Sequence, residues 1–255
     1  NAPPSVSGAA HDATIVMDTA LLRRLTHTAG EITDLAFSEP DDVTKAVDMA
    51  ESKMFEVAED KVVDSTREIG DLLNATMDEL EANFERGDTI TGAATGYDDL
   101  DELLSGLQPS TLNIVGARPA MGKTAFGLGL ATHIAKHESK PALVFSLEMG
   151  HSELTQRILS SEAKVDSTKL RTGKLTESDW SKIGLAVGRL EVPLFLDDNP
   201  QVTVMEIRAK ARRIKAQHGG LSLILIDYLQ LMSGSGQSEN RQLEVSEISR
   251  NLKVL

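Results

Sequence analysis

The stretch that decides the fold is residues 112–124, Leu-Asn-Ile-Val-Gly-Ala-Arg-Pro-Ala-Met-Gly-Lys-Thr. Its apolar beginning, Leu112–Val115, is typical of a buried strand, and a helical pattern follows the stretch as far as Lys136. Residues 117–124 match the phosphate-binding P-loop, except that Ala117 stands where the first glycine is usual. A strand, such a loop and a helix in this order predict a nucleotide-binding α/β domain.

The residue types of this loop suit a bound phosphate. Successive backbone N–H groups and the N-terminus of the following helix form an anion-binding nest for a β-phosphate. Gly122 lets the backbone approach closely, Lys123 reaches the β- and γ-phosphates, and the Thr124 hydroxyl can ligate Mg²⁺. The predicted nucleotide-binding residues are Ala117, Arg118, Pro119, Ala120, Met121, Gly122, Lys123 and Thr124.

Two acidic residues follow apolar runs further along the chain. Asp227 ends the run Leu223–Ile226, and Glu148 follows the run Ala142–Leu147. Carboxyl ends of parallel strands meet at the edge of the sheet where ligands bind, so Asp227 can hold Mg²⁺ through water. Glu148 is a candidate to orient and activate an attacking water. The simpler interpretations are an aspartate that only terminates a strand and a glutamate in a surface turn.

Beyond residue 90, short apolar runs alternate with helical patterns. This order predicts a parallel sheet that helices cover on both faces. The runs lie at 112–115, 142–147, 194–196 and 223–226, and the helical patterns at 124–136, 153–161, 178–190 and 204–217.

The charge of the chain is unevenly distributed. The net charge is −13, and residues 1–90 carry 20 acids and 7 bases, whereas residues 91–255 carry 19 of each. Acidity therefore argues against nucleic-acid binding in the first third only. The absence of cysteine excludes a disulfide scaffold, a cysteine zinc site and thiol catalysis. No apolar run is long enough for a bilayer, so we expect a cytoplasmic protein without a membrane anchor.

The first third shows helical spacing of apolar residues. One pattern forms a narrow apolar stripe on an otherwise polar helix, through Ile69, Leu73, Met77, Leu80 and Phe84. Such a stripe needs a partner surface, either in its own core or on a neighbouring subunit. The chain has no initiator methionine and stops inside a helical pattern, so we expect a fragment.

Several longer motifs resemble those of the bacterial replicative DNA helicases of the DnaB family. The likeness is dense from about residue 91 onwards and weaker over residues 20–86. Besides the P-loop, the motifs are Thr-Gly-Tyr-Asp-Asp-Leu-Asp at 95–101, Gly-Leu-Gln-Pro at 106–109, Phe-Ser-Leu-Glu-Met at 145–149, Leu-Arg-Thr-Gly-Lys-Leu at 170–175, Asp-Asp-Asn-Pro at 197–200, Ile-Asp-Tyr-Leu-Gln-Leu-Met at 226–232 and Glu-Asn-Arg-Gln-Leu-Glu-Val-Ser-Glu-Ile-Ser-Arg at 239–250.

The resemblance implies a RecA-like parallel-sheet ATPase domain over residues 91–255, incomplete at its C-terminus. It implies a remnant of an all-helical N-terminal domain over residues 1–62 and a linker helix with a hinge over residues 63–90. The apolar stripe of that helix would dock on the adjacent subunit. The family assembles as a ring-shaped homohexamer that hydrolyses ATP with Mg²⁺, moves along single-stranded DNA and unwinds duplex at the replication fork. Primase and a helicase loader are the implied protein partners.

The resemblance also implies roles for single residues. Lys123 and Thr124 would bind phosphate and Mg²⁺, Glu148 would be the catalytic glutamate, and Asp227 the Walker B acid. Arg241 follows a Ser/Gly-rich segment, residues 233–239, for which a loop that lines the DNA channel and a solvated linker are both open. If the segment lines the channel, Arg241 would contact a DNA phosphate.

Two alternatives remain open from the sequence. One is a RecA-type DNA-dependent ATPase or recombinase-like protein that does not unwind. The other is a truncated, non-catalytic interaction module, against which the intact phosphate and acidic residues argue. Whether the protein is a helicase or another ATPase, we expect the fragment by itself to hydrolyse ATP weakly or not at all.

Overall fold

The computed structural model describes residues 6–38, 43, 46–47, 49–50, 53–54, 57, 68–87, 90–138, 140–232 and 241–255. It divides into two compact units, residues 1–77 and 78–255. Throughout these described ranges, no helix has the length and apolarity that crossing a membrane requires.

Nearly every described residue of the first unit is helical. Helix α1 is Val6–Phe37, and the isolated described positions between residues 43 and 57 are also helical. The Lys53 ammonium lies 2.7 Å from the Glu31 carboxylate and joins the two segments. The hydrogen bond from Lys53 and its charge hold the pKa of Glu31 below its usual range. Beside this pair, Thr28 and Val57 are buried.

Helix α2, Ile69–Arg86, confirms the helix predicted for the apolar stripe. All five stripe residues are exposed on it. Their relative solvent accessibility ranges from 53% at Leu73 and Met77 to 88% at Phe84. The assignment of this helix as a linker stays a prediction.

The second unit alternates helices and strands. Its elements are α3 (Asp98–Leu104), α4 (Lys123–His137), β1 (Ala142–Ser146), α5 (His151–Ala163), α6 (Ser167–Thr172), α7 (Glu177–Arg189), β2 (Leu194–Asp197), α8 (Val204–His218), β3 (Leu223–Asp227), a 3-10 turn (Leu229–Leu231) and α9 (Arg241–Val254). The sequence patterns predict four of these helices near their observed bounds, and the helical pattern at the end of the chain corresponds to α9. They miss the short helices α3 and α6.

The three strands form one parallel sheet in the order β2-β1-β3. Every residue of the central strand β1 is buried, whereas the two edge strands are largely half-buried. Ala142 is in register with Leu194 on one side and with Leu223 on the other, so all three strands end at one edge. The predicted α/β class with a parallel sheet is confirmed.

Both faces of the sheet are covered, as the apolar runs predict. Leu143 and Phe145 of β1 point to a cluster with Ile207 of α8 and Ile248 of α9. The alternate residue, Val144, packs on the other face with residues of α4 and α5, Leu128, Leu154 and Ile158. A strand buried on both sides explains why β1 is an unbroken apolar run.

The strand predicted at Leu112–Val115 is wrong. These residues have no regular secondary structure, and residues 111–122 are all exposed. A strand forms only where a neighbour supplies backbone hydrogen bonds. Within the described part of the chain, β3 pairs with β1 alone, and Leu112–Val115 pairs with no strand. The apolar composition of the run therefore favours a strand, but the run has no neighbouring strand among the described residues with which to pair.

The segment before the P-loop is held against α4. Ala93 and Leu107 form an isolated antiparallel bridge, and the Asp101 carboxylate accepts hydrogen bonds from the N–H groups of Thr95 and Gly96 at 2.8 and 3.1 Å. Burial alone would raise the pKa of Asp101, but these hydrogen bonds outweigh it and hold the pKa below its usual value. The Tyr97 ring packs on Phe126 of α4, with ring centroids 5.0 Å apart.

Candidate functional site

The first residues of α4 meet the last residue of β3. The Thr124 hydroxyl donates a hydrogen bond of 2.5 Å to Asp227 Oδ2, and Lys123 Nζ lies 3.5 Å from Asp227 Oδ1. Thr124 and Asp227 are 103 residues apart in sequence, and Asp227 is almost completely buried. The fold thus brings together three residues that the sequence predicts as one site.

The loop before α4 turns sharply to begin the helix. Gly122, the residue that precedes the helix, has φ +87°, a conformation that favours glycine. No atom lies within 4 Å of the Cβ that a larger residue would carry there, so backbone conformation and not space requires the glycine. Ala120 also has a positive φ, of +63°, and Met121 N–H donates to the Arg118 carbonyl at 3.3 Å.

The predicted phosphate-binding residues lie on the surface. Residues 117–122 are exposed, and 73% of Met121 is accessible to solvent. The loop is therefore open to a ligand that approaches the N-terminus of α4.

Glu148 lies on the turn that follows β1, at the same edge of the sheet. Ser146, two residues earlier, is in register with Asp227. Leu147 N–H donates to the Asp227 carbonyl at 2.8 Å, and Met149 N–H donates to the Ser146 hydroxyl at 3.1 Å. These two bonds hold the turn on either side of Glu148, whose own side chain is exposed.

Sequence reasoning misses Tyr228. The Lys123 ammonium lies 4.2 Å from the centroid of the Tyr228 ring, close enough for a cation–π interaction. Lys123 is thus held between a carboxylate and an aromatic face. The only hint in the sequence is the position of Tyr228, directly after the acid that ends β3.

Arg241, predicted to contact a DNA phosphate, uses its guanidinium within the chain. Nη2 donates to the carbonyl oxygens of Gln230 and Met232, the second at 3.2 Å, and Nη1 donates to the Glu244 carboxylate. The proposed channel segment, residues 233–239, lies outside the described residues. A phosphate at Arg241 would have to compete with these acceptors.

The oxygen atoms of this site suit Mg²⁺. A threonine hydroxyl and a carboxylate are hard oxygen ligands, which Mg²⁺ prefers, usually together with phosphate oxygens and water. Within the described ranges, no group of three or more His, Asp or Glu side chains could hold a metal ion by itself.

Comparison with known families identifies the second unit. The family model of the DnaB-like helicase C-terminal domain matches residues 92–255. The chain belongs to the DnaB-like helicase family. The resemblance inferred from the sequence motifs is confirmed.

Relatives of this DnaB-like chain are similar over its whole length. It is 44% identical over 257 residues to a replicative DNA helicase DnaB of Geobacillus stearothermophilus and 44% identical over 257 residues to a replicative DNA helicase DnaC of Bacillus subtilis (strain 168). Each alignment covers 100% of this chain and 56% of the relative. The chain therefore spans little more than half the length of these curated relatives.

Solved structures share the fold of this DnaB-like chain. A DnaB-like replicative helicase, described with its interactions with primase, has a TM-score of 0.75 at 25% identity and covers 98% of this chain and 57% of the other. The ATPase domain of another solved protein has a TM-score of 0.69 at 28% identity, and the match covers 74% of this chain and 67% of that domain.

Proposed function

We propose that this chain contains the motor of a replicative DNA helicase, which hydrolyses ATP to move along single-stranded DNA and unwind duplex at the replication fork. The observation that carries the proposal is the meeting of Lys123 and Thr124 with Asp227 in a DnaB-like domain. This is the arrangement of a P-loop and a strand-end acid that nucleoside triphosphate hydrolysis requires.

The phosphate chain of ATP would lie on the loop of residues 117–122 and at the N-terminus of α4. Backbone N–H groups and the positive end of the helix dipole would stabilise its negative charge. Lys123 would leave Asp227 and bind the β- and γ-phosphate oxygens. Thr124 and, through water, Asp227 would hold Mg²⁺, which when bound neutralises charge that develops on the phosphates.

Glu148 would act on the attacking water. Its exposed carboxylate lies on the turn fixed by Leu147 and Met149, at the sheet edge that also carries Asp227. From there it can accept a hydrogen bond from the water and orient it towards the γ-phosphate. We therefore assign Glu148 the catalytic role and Lys123 the stabilisation of the transferring phosphoryl group.

The working assembly would be a homohexameric ring with DNA in its channel. In this proposal residues 91–255 belong to the ATPase domain, residues 63–90 form a linker helix and hinge, and residues 1–62 belong to an N-terminal helical domain. The exposed stripe of α2 supports docking on an adjacent subunit, because an apolar face on a polar helix needs a cover. A solved relative is described with primase, which supports primase as a partner. A helicase loader is proposed from the family resemblance alone.

The recombinase-like ATPase and the non-catalytic module are not favoured. The matched relatives are named as replicative helicases. The contacts of Lys123 and Thr124 with Asp227 support a site that can bind a nucleotide.

The test is Mg-ATP hydrolysis by the natural protein that contains this chain, with and without single-stranded DNA. Lys123→Ala should reduce the rate by about 100-fold or more, because removing one preorganised charge stabiliser typically costs 10²–10³ in kcat. A matched control is Lys174→Ala, since Lys174 is an exposed lysine on the loop between α6 and α7.

DNA-stimulated hydrolysis that is lost with Lys123 and kept with Lys174, followed by strand separation on a forked duplex, would support the proposal. Hydrolysis that ignores DNA would favour a non-translocating ATPase. No hydrolysis by the unaltered protein would favour the interaction module.

A further inference from the structure

Helix α9 reaches both sides of the proposed nucleotide site through the side chains at its two ends. Near its beginning, Arg241 donates to the carbonyl oxygens of Gln230 and Met232, in the turn that follows β3. Near its end, Lys253 Nζ donates to the carbonyl oxygen of Ser110 at 2.6 Å, in the segment that leads to the P-loop.

The middle of α9 is anchored in the core. Ile248 is 2% exposed and Met232 is 1% exposed, and both belong to the cluster that packs on Leu143 and Phe145 of β1. A helix of 14 residues is about 21 Å long and stiff over that length. Because α9 is anchored at its centre and bonded at both ends, it holds the turn after β3 and the approach to the P-loop in fixed positions.

The contact at Arg241 depends on the shape of its guanidinium. A planar fork can donate in several fixed directions at once, whereas a lysine ammonium is a compact charge on a flexible stem. Arg241 serves two backbone carbonyls and the Glu244 carboxylate together. Lysine at this position would keep the charge but not this set of bonds.

We propose that Arg241 is a positioning residue of the nucleotide site. By bonding to Gln230 and Met232 it fixes the turn directly behind Asp227, and so keeps Asp227 aligned with Lys123 and Thr124. This inference rests on the proposed function and deepens it.

The experiment compares Arg241→Gln, Arg241→Lys and the control Arg250→Gln in the natural protein. Arg250 is an exposed arginine of the same helix. Without DNA, both Arg241 variants should raise the Kd for the fluorescent analogue mant-ADP and the KM for Mg-ATP by about three- to tenfold, through the loss of charge-assisted hydrogen bonds to the turn. The Arg250 variant should stay within about twofold of the unaltered protein.

Direct phosphate contact predicts the opposite pattern. If Arg241→Lys and Arg241→Gln both keep the original Kd for mant-ADP, and only the Gln variant weakens binding to oligothymidylate with a salt slope smaller by about one, the inference is overturned. Lys253→Met tests the other end of α9 and should also raise the Kd. If Arg241→Gln has a Tm well below that of the unaltered protein, its Kd cannot be interpreted. The Kd values of Lys253→Met and Arg241→Lys then decide whether Arg241 positions the nucleotide site.

The same data separate this inference from the proposed function. Mant-ADP affinity is measured without hydrolysis or DNA, so it tests Arg241 even if the unaltered protein hydrolyses no ATP. Normal DNA-stimulated hydrolysis with unchanged Kd in all Arg241 and Lys253 variants would refute the inference and leave the helicase proposal standing.

Discussion

At the scale of single residues, Lys123 lies between two groups that compete with a nucleotide for its charge. Its ammonium is 3.5 Å from Asp227 Oδ1 and 4.2 Å from the centre of the Tyr228 ring. A phosphate must draw the ammonium away from both. The aromatic ring therefore opposes nucleotide binding, and its removal should make binding tighter.

We expect Tyr228→Leu to lower the Kd for mant-ADP by about two- to fivefold, since an exposed cation–π contact contributes about 0.5–1 kcal/mol. Tyr228→Phe is the matched control, because it keeps the ring and should keep the original Kd. Fluorescence titration measures both. Weaker binding by the Leu variant, or equal changes in the two variants, would contradict a competing role for the ring.

The sequence predicts contacts that follow from strand ends and known motifs, but not contacts that depend on the path of a turn. Glu148 and Asp227 are predictable at one edge of the sheet, because the parallel strands β1 and β3 end there. Lys123 and Thr124 are predictable from the P-loop motif at the beginning of α4. The contact of Lys123 with Tyr228 is not predictable, since it depends on how the chain turns after β3. The hydrogen bonds of Arg241 are of the same kind.

At the scale of elements, capping fixes where helices of the second unit begin. Helix α7 starts with a capping box, in which the Thr176 hydroxyl accepts from Asp179 N–H and the Asp179 carboxylate accepts from Thr176 N–H. Lys169 of α6 also donates to that carboxylate, at 3.1 Å. Hydrogen bonds from Thr176, followed by the contacts with Lys169, lower the pKa of Asp179 from its ordinary 3.8 to about 2.

A lowered pKa means that the folded state favours the ionised carboxylate. The resulting stabilisation is complete above pH 4 and is lost as the pH falls through about 2. Asp179→Asn should therefore lower the Tm at pH 7, and its difference from the unaltered chain should shrink between pH 4 and pH 2. Thermal melts followed by circular dichroism across this range are the measurement.

The control for Asp179 is Glu177→Gln, a change of another acid in the first turn of the same helix. Its Tm should differ from the original by an amount that changes little over the same pH range. A constant difference for Asp179→Asn down to pH 2 would show that the capping box does not depend on the ionised carboxylate.

A helix or strand is predictable here where its apolar pattern is matched by a neighbouring element that covers it or pairs with it. The runs that became β1, β2 and β3 each have a strand beside them, and the predicted helices cover them. Leu112–Val115 has the same composition but no neighbouring strand in the described structure. Local pattern cannot reveal that difference, because strand formation is decided by a partner elsewhere in the chain.

At the scale of the whole molecule, the second unit depends on β1 as a layer shared by two cores. Phe145 is completely buried in one of them. Its replacement by alanine leaves a large cavity, for which about 3–5 kcal/mol of unfolding free energy is the usual loss. Leu185, 68% exposed on α7, is the matched control, and Leu185→Ala should cost no more than about 0.5 kcal/mol.

Urea unfolding followed by intrinsic fluorescence suits this comparison. The single tryptophan, Trp180, and both tyrosines, Tyr97 and Tyr228, belong to the second unit, so the signal reports that unit alone. Equal losses of free energy for Phe145→Ala and Leu185→Ala would show that the sheet is not the centre of stability.

The exposed run Leu112–Val115 has a consequence for handling this chain in solution. Ile114 is 75% and Val115 is 53% exposed, and β-branched residues with free backbone groups invite pairing with another copy. Residues 91–255, which include Leu112–Val115, carry equal numbers of acids and bases. Charge repulsion between copies of this part therefore does not oppose association. We therefore expect the acidic first third to keep this chain in solution, and its removal to isolate residues 91–255 should lower solubility rather than improve it.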